Sequence, residues 1–278
     1  MASTTADNLV SRATTLGMVA LYLIAAASIV GFGVFRAHPE LLGTIPGAAA
    51  AYPRAVAFFP KAQVIAAFAI LATYLTWKAG TRWLLPFVAV YALSLVSELA
   101  GTTVGLPFGP YRYTDALGVK WFGHVPVLIP LSWFMMAIPS YVLAGASGAR
   151  RSPAGRIVIA AIVLLAWDLS LDPAMSAATA FWVWGSAGAY YGMPWLNLFG
   201  WFITGIALMS ALAATGAGEW TRSVSPRWMA AYYGANLALS LGLAAVGGMW
   251  LAFLATAGVL AACWLSTVAR RVENPAIA

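Results

Sequence analysis

Ile157-Val158-Ile159-Ala160-Ala161-Ile162-Val163-Leu164-Leu165-Ala166-Trp167-Asp168-Leu169-Ser170-Leu171-Asp172-Pro173 is the stretch whose reading decides the fold. An apolar run opens it and two carboxylates close it. Asp168 and Asp172 are four residues apart, so on a helix they share one face, one above the other. Acids within a membrane-spanning segment are costly, roughly 2.5–3.5 kcal/mol each at mid-bilayer on insertion scales. The chain has only eight acidic residues, and two of them are here. Pro173 is expected to stop the helix. One reading puts both acids at the water interface, capping a loop. The other makes one of them a proton donor facing an apolar cavity.

The rest of the chain agrees with a membrane setting. Of its 278 residues 62% are hydrophobic and only 8% charged, where a soluble domain carries about 25% charge. Several apolar runs reach the roughly 17–25 residues that a helix needs to cross. Strand-like alternation is absent, which argues against a barrel. The net charge of +7 does not indicate nucleic-acid binding, because the cations punctuate loops and form no dense basic stretch. The single cysteine, Cys263, lies in an apolar helix, so there is no disulfide framework. The polar start, Met1 to Thr15, runs into a full-length span and is read as no cleavable signal peptide.

The fold class is therefore all-α, a polytopic transmembrane helical bundle in a single integral membrane domain, 1–278. Eight spans are read, at about 16–35, 62–79, 83–100, 125–146, 155–172, 195–215, 228–247 and 249–268. The divider Val246-Gly247-Gly248 is the weakest, and seven spans result if the last two are mis-split. Loop cations set the orientation. One side holds Arg12, Lys78, Arg82, Arg150, Arg151, Arg156, Arg222, Arg227, Arg270 and Arg271; the other holds Arg36, Arg54, Lys61, Arg112 and Lys120. Both termini are thus expected in the cytoplasm, and the protein in the cytoplasmic membrane. Glu98, Asp168 and Asp172 then converge toward the non-cytoplasmic side.

Two connections on that side are rich in Gly, Pro and aromatics and poor in charge, 101–124 and 173–194. They read either as an aromatic belt at the headgroups or as a lid or re-entrant cover, since irregular backbone at membrane depth must be buried in protein or line a cavity. The segment 41–60, with Pro46, Pro53 and Pro60, is expected to lie along the interface. A weak internal repeat at an offset of 68 residues matches Pro126, Leu128, Trp133, Phe134 and Ile138 with Pro194, Leu196, Trp201, Phe202 and Ile206. Repeats of this kind often place a site at their interface.

Several chemistries lack their residues. Membrane metal oxygenases need many histidines, and only His38 and His124 are present. A retinal protein needs a lysine deep in a helix, whereas Lys61, Lys78 and Lys120 lie at span ends. No Ser-His-Asp order, phosphate-cradling glycine loop or dinucleotide fingerprint occurs. Carboxyls, aromatics and apolar walls remain. That set suits acid catalysis on a lipid-soluble alkene. A carboxyl kept neutral by an apolar pocket gives its proton to a double bond. Aromatic faces stabilise the resulting tertiary carbocation, about 0.5–2 kcal/mol each. A second carboxylate positions water or takes its proton, adding about 10²–10⁴-fold.

Glu98-Leu-Ala-Gly101, Pro107-Phe-Gly109, Tyr111-x-Tyr113, Pro126, Pro130 with Trp133, Asp168-x-x-x-Asp172-Pro173, Trp182-x-Trp184, Tyr191-Gly192-x-Pro194 and Asn197-x-x-Gly-Trp201 together resemble the membrane carotenoid biosynthesis family. Its members include the CruF-type carotenoid 1,2-hydratases of bacteria and the bisanhydrobacterioruberin hydratases of halophilic archaea. The resemblance covers about residues 60–245 and is densest over 98–201, the motif-bearing core. It implies water addition across the terminal double bond of an acyclic carotenoid such as lycopene or γ-carotene. It implies no cofactor, and a carotenoid, water and the lipid bilayer as partners, with other carotenoid-pathway enzymes beside them.

The candidate catalytic residues are Asp168 or Asp172 as proton donor, and Glu98 to orient the water or take its proton; no metal ligands are expected. Tyr111, Tyr113, Trp133, Trp182, Trp184, Tyr190, Tyr191 and Trp201 are candidates to wall the cavity, and Asn197 to hold the water. Arg112 is expected to pair with Asp115 or with a site acid. Glycines 101, 105, 109 and 192 read as turn-formers. Rival readings are a non-catalytic carotenoid or lipid carrier or assembly factor, a small transporter, and a prenyl transferase.

Overall fold

The computed structural model describes residues 2–146 and 152–273; Arg150 and Arg151 of the orientation argument lie outside them. The chain is a helical bundle. In order come α1 (Ala2–Ala37), α2 (Leu41–Thr44), α3 (Ala48–Ala79), α4 (Leu84–Val104), β1 (Tyr111–Tyr113), β2 (Lys120–Trp121), β3 (Val125–Pro126) and α5 (Leu128–Ala146). Then follow α6 (Pro153–Pro173), β4 (Trp182–Trp184), α7 (Trp195–Ala214), α8 (Ala217–Trp220), α9 (Pro226–Val246) and α10 (Trp250–Glu273). Among the described residues, seven helices, α1, α3, α4, α5, α6, α7 and α9, are long and apolar enough to cross a membrane. The eighth expected span corresponds to α10, whose apolar stretch Trp250–Ser266 is shorter.

Helices α5 and α6 form the centre. Helix α5 is apolar on every face, and a helix of that kind must be surrounded; Trp133 through Val142 are all buried. Helix α6 packs against α5, α7, α9 and α10, while α1 lies outside on α3 and α9. Ser152 starts α6, its hydroxyl accepting from the Gly155 N–H at 3.1 Å, with Pro153 in the first turn where no donor is lost.

Two expectations change. Pro173 does not stop the chain's helical course, which runs on through a π-helical turn, Ala174–Ala178. A proline acts on the turn before it. It lacks the N–H that would bond the carbonyl four residues back, here that of Leu169. The Tyr190 hydroxyl donates to that carbonyl at 2.9 Å, so the buried acceptor is satisfied. Likewise 41–60 is not one broken interfacial segment. Its second half is the start of α3, with Pro53 and Pro60 inside the helix. At 32 residues α3 is about 48 Å long, more than the roughly 30 Å of a hydrocarbon core.

The two aromatic connections meet. Strands β1 and β4 pair antiparallel, with Tyr111 opposite Trp184, Arg112 opposite Val183 and Tyr113 opposite Trp182. Alternation in a strand sends every second side chain to one face. All four aromatics therefore face the helices, and Arg112 and Val183 face away, exposed. This ribbon is the cover over the ends of α4 and α6. Each strand has only three residues, too few for an alternating pattern to register in the sequence.

Candidate active site

The cover brings three acids together. Glu98 sits in the last two turns of α4 and Asp168 and Asp172 in the last two of α6, all buried. Glu98 accepts three hydrogen bonds. The hydroxyls of Tyr111 and Tyr113 both donate to its Oε2, the latter at 2.8 Å, and the Trp133 indole N–H donates to Oε1 at 2.7 Å. Burial, and then the adjoining Glu98, push both phenols well above the ordinary tyrosine range, so they remain donors.

Asp172 lies across from Glu98. The Asn197 amide donates to its Oδ2 and reaches Asp168 Oδ2 at 3.5 Å and Met193 Sδ at 2.9 Å. Trp182 and Asp168 stand beside the Asp172 carboxyl, and Asp168 Oδ1 is buried with no hydrogen-bond partner. Asn197 thus holds the acids from the wall of the site. Ser176 ties the turn below by donating to the Asp172 carbonyl at 2.7 Å.

Between Glu98 and Asp172 is a cavity of about 40 Å³. That is room for ordered water. Seven aromatic rings wall it: Phe108, Tyr111, Tyr113, Trp133, Trp182, Trp184 and Trp201, with Ile129, Ser132, Leu171 and Asn197 completing it. Asp168 is fully buried behind Asp172. The rings interlock: Tyr111 on Trp184 at 5.4 Å, Tyr113 on Trp182 at 5.9 Å and Trp133 stacked on Trp201 at 3.9 Å.

Gly101 is not a turn-former. It is inside α4, and a Cβ there would come within 2.8 Å of the Phe108 and Tyr111 rings; its bareness lets Tyr111 reach Glu98. Gly200 does the same on α7, where a Cβ would sit 2.7 Å from the Pro107 carbonyl and Phe108. Gly105, Gly109 and Gly192 do adopt positive φ, at +78°, +90° and +87°.

Of the sequence candidates, Glu98, Asp168, Asp172, Tyr111, Tyr113, Trp133, Trp182, Trp184, Asn197 and Trp201 are gathered here. Tyr190 and Tyr191 stand outside the cavity. Tyr190 serves the Leu169 carbonyl, and the Tyr191 hydroxyl accepts from the Leu251 N–H at 3.1 Å. Arg112 pairs with neither a site acid nor Asp115; the partner of Asp115 is Lys120, at 2.7 Å. Phe108, Ile129, Ser132 and Leu171 were missed as wall residues. Phe108 alone had a signal, the Pro107-Phe-Gly109 motif. Among the described residues, no group of three or more His, Cys, Asp or Glu side chains is arranged to hold a metal ion.

The family described as "Carotenoid biosynthesis protein" matches residues 59–263. This chain belongs to that family. Among relatives, it is similar to a bisanhydrobacterioruberin hydratase of Haloarcula japonica, 32% identical over 123 residues. That alignment covers 42% of this chain and 41% of the relative, so the chain spans less than half of the relative's length. No solved structure matches. The family match contains every residue of the acid cavity, and it starts eleven residues into α3.

Proposed function

We propose that this member of the carotenoid biosynthesis family is a carotenoid hydratase of the cytoplasmic membrane. It adds water across the terminal 1,2 double bond of an acyclic psi end group, of the lycopene or γ-carotene type. The observation that carries the reading is the placement of Glu98 and the Asp168–Asp172 pair on opposite sides of one water-sized cavity walled by aromatic rings. The name of the haloarchaeal relative supports the substrate class.

Two buried carboxyls side by side do not both ionise, so the pair keeps a proton. Asp172, the member at the cavity wall, delivers it; Asp168 behind it shares it. The alkene's electron pair forms a C–H bond to the CH carbon of the end group. The neighbouring dimethyl carbon becomes a tertiary cation. Faces of Trp133, Trp182, Trp184 and Trp201 stabilise that cation, each by about 0.5–2 kcal/mol. Water in the cavity attacks it, and Glu98, held as an acceptor by three donors, takes the proton the water loses. That proton returns across the cavity to the aspartate pair. The balance is one alkene plus one water to one tertiary alcohol. With the termini in the cytoplasm, the site faces the outer side.

Expression in a lycopene-producing host, with chromatography and mass of the pigments, tests the reading. A more polar product heavier by one water, or by two, is expected. Unchanged lycopene, and then unchanged γ-carotene, with the protein in the membrane would leave a pigment carrier.

A further inference from the structure

The acid cavity does not stand alone. A second, apolar pocket of about 70 Å³ lies against it and shares four walls with it, Ile129, Ser132, Leu171 and Trp182. A third, of about 170 Å³, lies between α1, α3 and α9 and shares Pro60 with the second. Small residues on facing helices, Ala27, Ser28 and Gly31 on α1 against Ala48, Ala51 and Ala55 on α3, leave it open between the larger Phe32, Phe35, Tyr52 and Phe59. Phe35 meets Tyr52 at 4.8 Å and Gly17, earlier on α1, lies against Ile70, later on α3, so the helices run antiparallel. Going from Phe35 back toward Ala27 therefore leads from Tyr52 toward Pro60. The groove follows α3 from Ala48 to Pro60, about 18 Å at 1.5 Å per residue. Its outer part opens on the lipid-facing surface of the bundle.

We propose that the three cavities are one binding track for an elongated acyclic hydrocarbon taken sideways from the bilayer. Its reacting end lies among the aromatic rings at Asp172. Its middle passes Gln63, and its far part lies along the α1–α3 groove. This inference rests on the hydratase reading for the chemistry at the inner end, but not for the track itself.

Two observations support an occupant. First, the groove has room that the protein leaves unfilled. A Cβ on Gly31 would meet nothing within 4 Å, although Gly31 faces the wall of a neighbouring helix. Second, the middle pocket holds a polar atom with no partner. Asn236 donates its amide to the Tyr232 carbonyl at 2.9 Å, which turns its Oδ1 to Gln63 Nε2 at 3.3 Å. Gln63 Oε1 is thereby left buried and unpartnered at the pocket wall. A buried carbonyl without a donor costs about 1–3 kcal/mol. Water on its way to the acids, or a hydroxyl at the end of a product leaving them, satisfies it. The ribbon of β1 and β4 covers the other side, so the lipid-facing groove is the apolar way in.

The test uses the full-length protein in detergent, two variants and two probes. A Cβ at Gly31 meets nothing within 4 Å, and Gly31→Phe puts a ring into the groove from there. Gly258→Phe is the control: it lies on α10, where a Cβ likewise meets nothing within 4 Å. The probes are lycopene and 2-methylhept-2-ene, which carries the same end group on a short chain. For Gly31→Phe, kcat/KM on lycopene falls at least tenfold, mostly through KM, while the short alkene reacts at the wild-type rate. Gly258→Phe matches wild type on both. Lycopene turnover unchanged in Gly31→Phe, or an equal loss on both probes, would overturn the track. The second readout is the visible absorbance of pigment that purifies with the protein. Wild type carrying lycopene without hydrating it, and Gly31→Phe carrying at least tenfold less, keeps the track and ends the hydratase reading. Wild type that neither binds nor converts lycopene ends both.

Discussion

The indole of Trp133 stacks on that of Trp201, centroids 3.9 Å apart and planes 23° from parallel. These residues occupy equivalent places in a repeat of 68 residues. The relation extends outward. Helix α4 followed by β1 and α5 corresponds to α6 followed by β4 and α7, and α5 packs on α6 as α7 packs on α4. Strand residues 111 and 113 correspond to 182 and 184, three residues beyond the 68-residue offset, and the antiparallel register pairs each with the other's equivalent. That is the pattern of a local two-fold axis through the ribbon and the stacked indoles. The acids lie on either side of it, Glu98 from one half and the aspartate pair from the other.

The two halves are not chemically equal, and Trp133 shows how. Its N–H donates to Glu98 at 2.7 Å. Trp133→Phe keeps a ring in the stack and removes that donor. A hydrogen bond to a charged group contributes about 1.5–3 kcal/mol, so kcat should fall about 10–100-fold with the protein still folded. Steady-state kinetics beside a thermal melt checks this.

The acids should separate by position. Asp172→Asn removes the proposed proton donor at the cavity wall and should lower kcat by about 10²–10⁴-fold. Glu98→Gln keeps the cavity shape and should lose a similar factor. Asp168→Asn, one layer back, should cost less than either. Pigment mass spectra for the three variants decide the order, and wild-type turnover in Asp172→Asn would remove the proton-donor role.

Tyr190 should matter for stability and little for turnover per folded molecule. Tyr190→Phe strips the donor from the Leu169 carbonyl that Pro173 leaves free. A loss of about 1–3 kcal/mol is expected, read from chemical denaturation in detergent. Restoring an N–H with Pro173→Ala in the same chain should recover part of it.

Gly101→Ala tests the close approach of Tyr111 to Glu98. The added methyl lies 2.9 Å from the Tyr111 hydroxyl. Overpacking of this kind costs about 1–3 kcal/mol, and the ribbon should lift enough to lower activity more than stability. Gly258→Ala, in open space, should change neither.

Lys120 ties the cover down, bonding the Tyr113 carbonyl at 3.0 Å and Asp115 at 2.7 Å. The ammonium holds the Asp115 carboxyl below its ordinary range. That contribution is therefore complete above about pH 3.9 and fades as pH falls through the lowered folded value. Because Asp115 is exposed, Asp115→Asn should barely move activity, while Lys120→Met, which also frees the Tyr113 carbonyl, should lower it several-fold. Arg112→Gln, on the outer face of the ribbon, should turn over like wild type.

Hydropathy and spacing by themselves determined that the chain is an apolar helical bundle and where most of its helices lie, because burying a helix in lipid demands long apolar runs. They determined that Glu98, Asp168 and Asp172 end their helices at one level, since alternate spans run in opposite directions. They also showed the tryptophans of the repeat. What they left undecided needed contacts between distant segments. Three-residue strands carry too little pattern to be seen, so only the pairing of β1 with β4 turned two aromatic loops into a cover. Only packing showed that Asn197 holds the aspartates, that Tyr190 serves a carbonyl freed by Pro173, and that Arg112 faces outward. The prolines of α3 read as breaks in one dimension. In the fold they sit within one helix, because neighbouring helices and side chains accommodate what each proline removes.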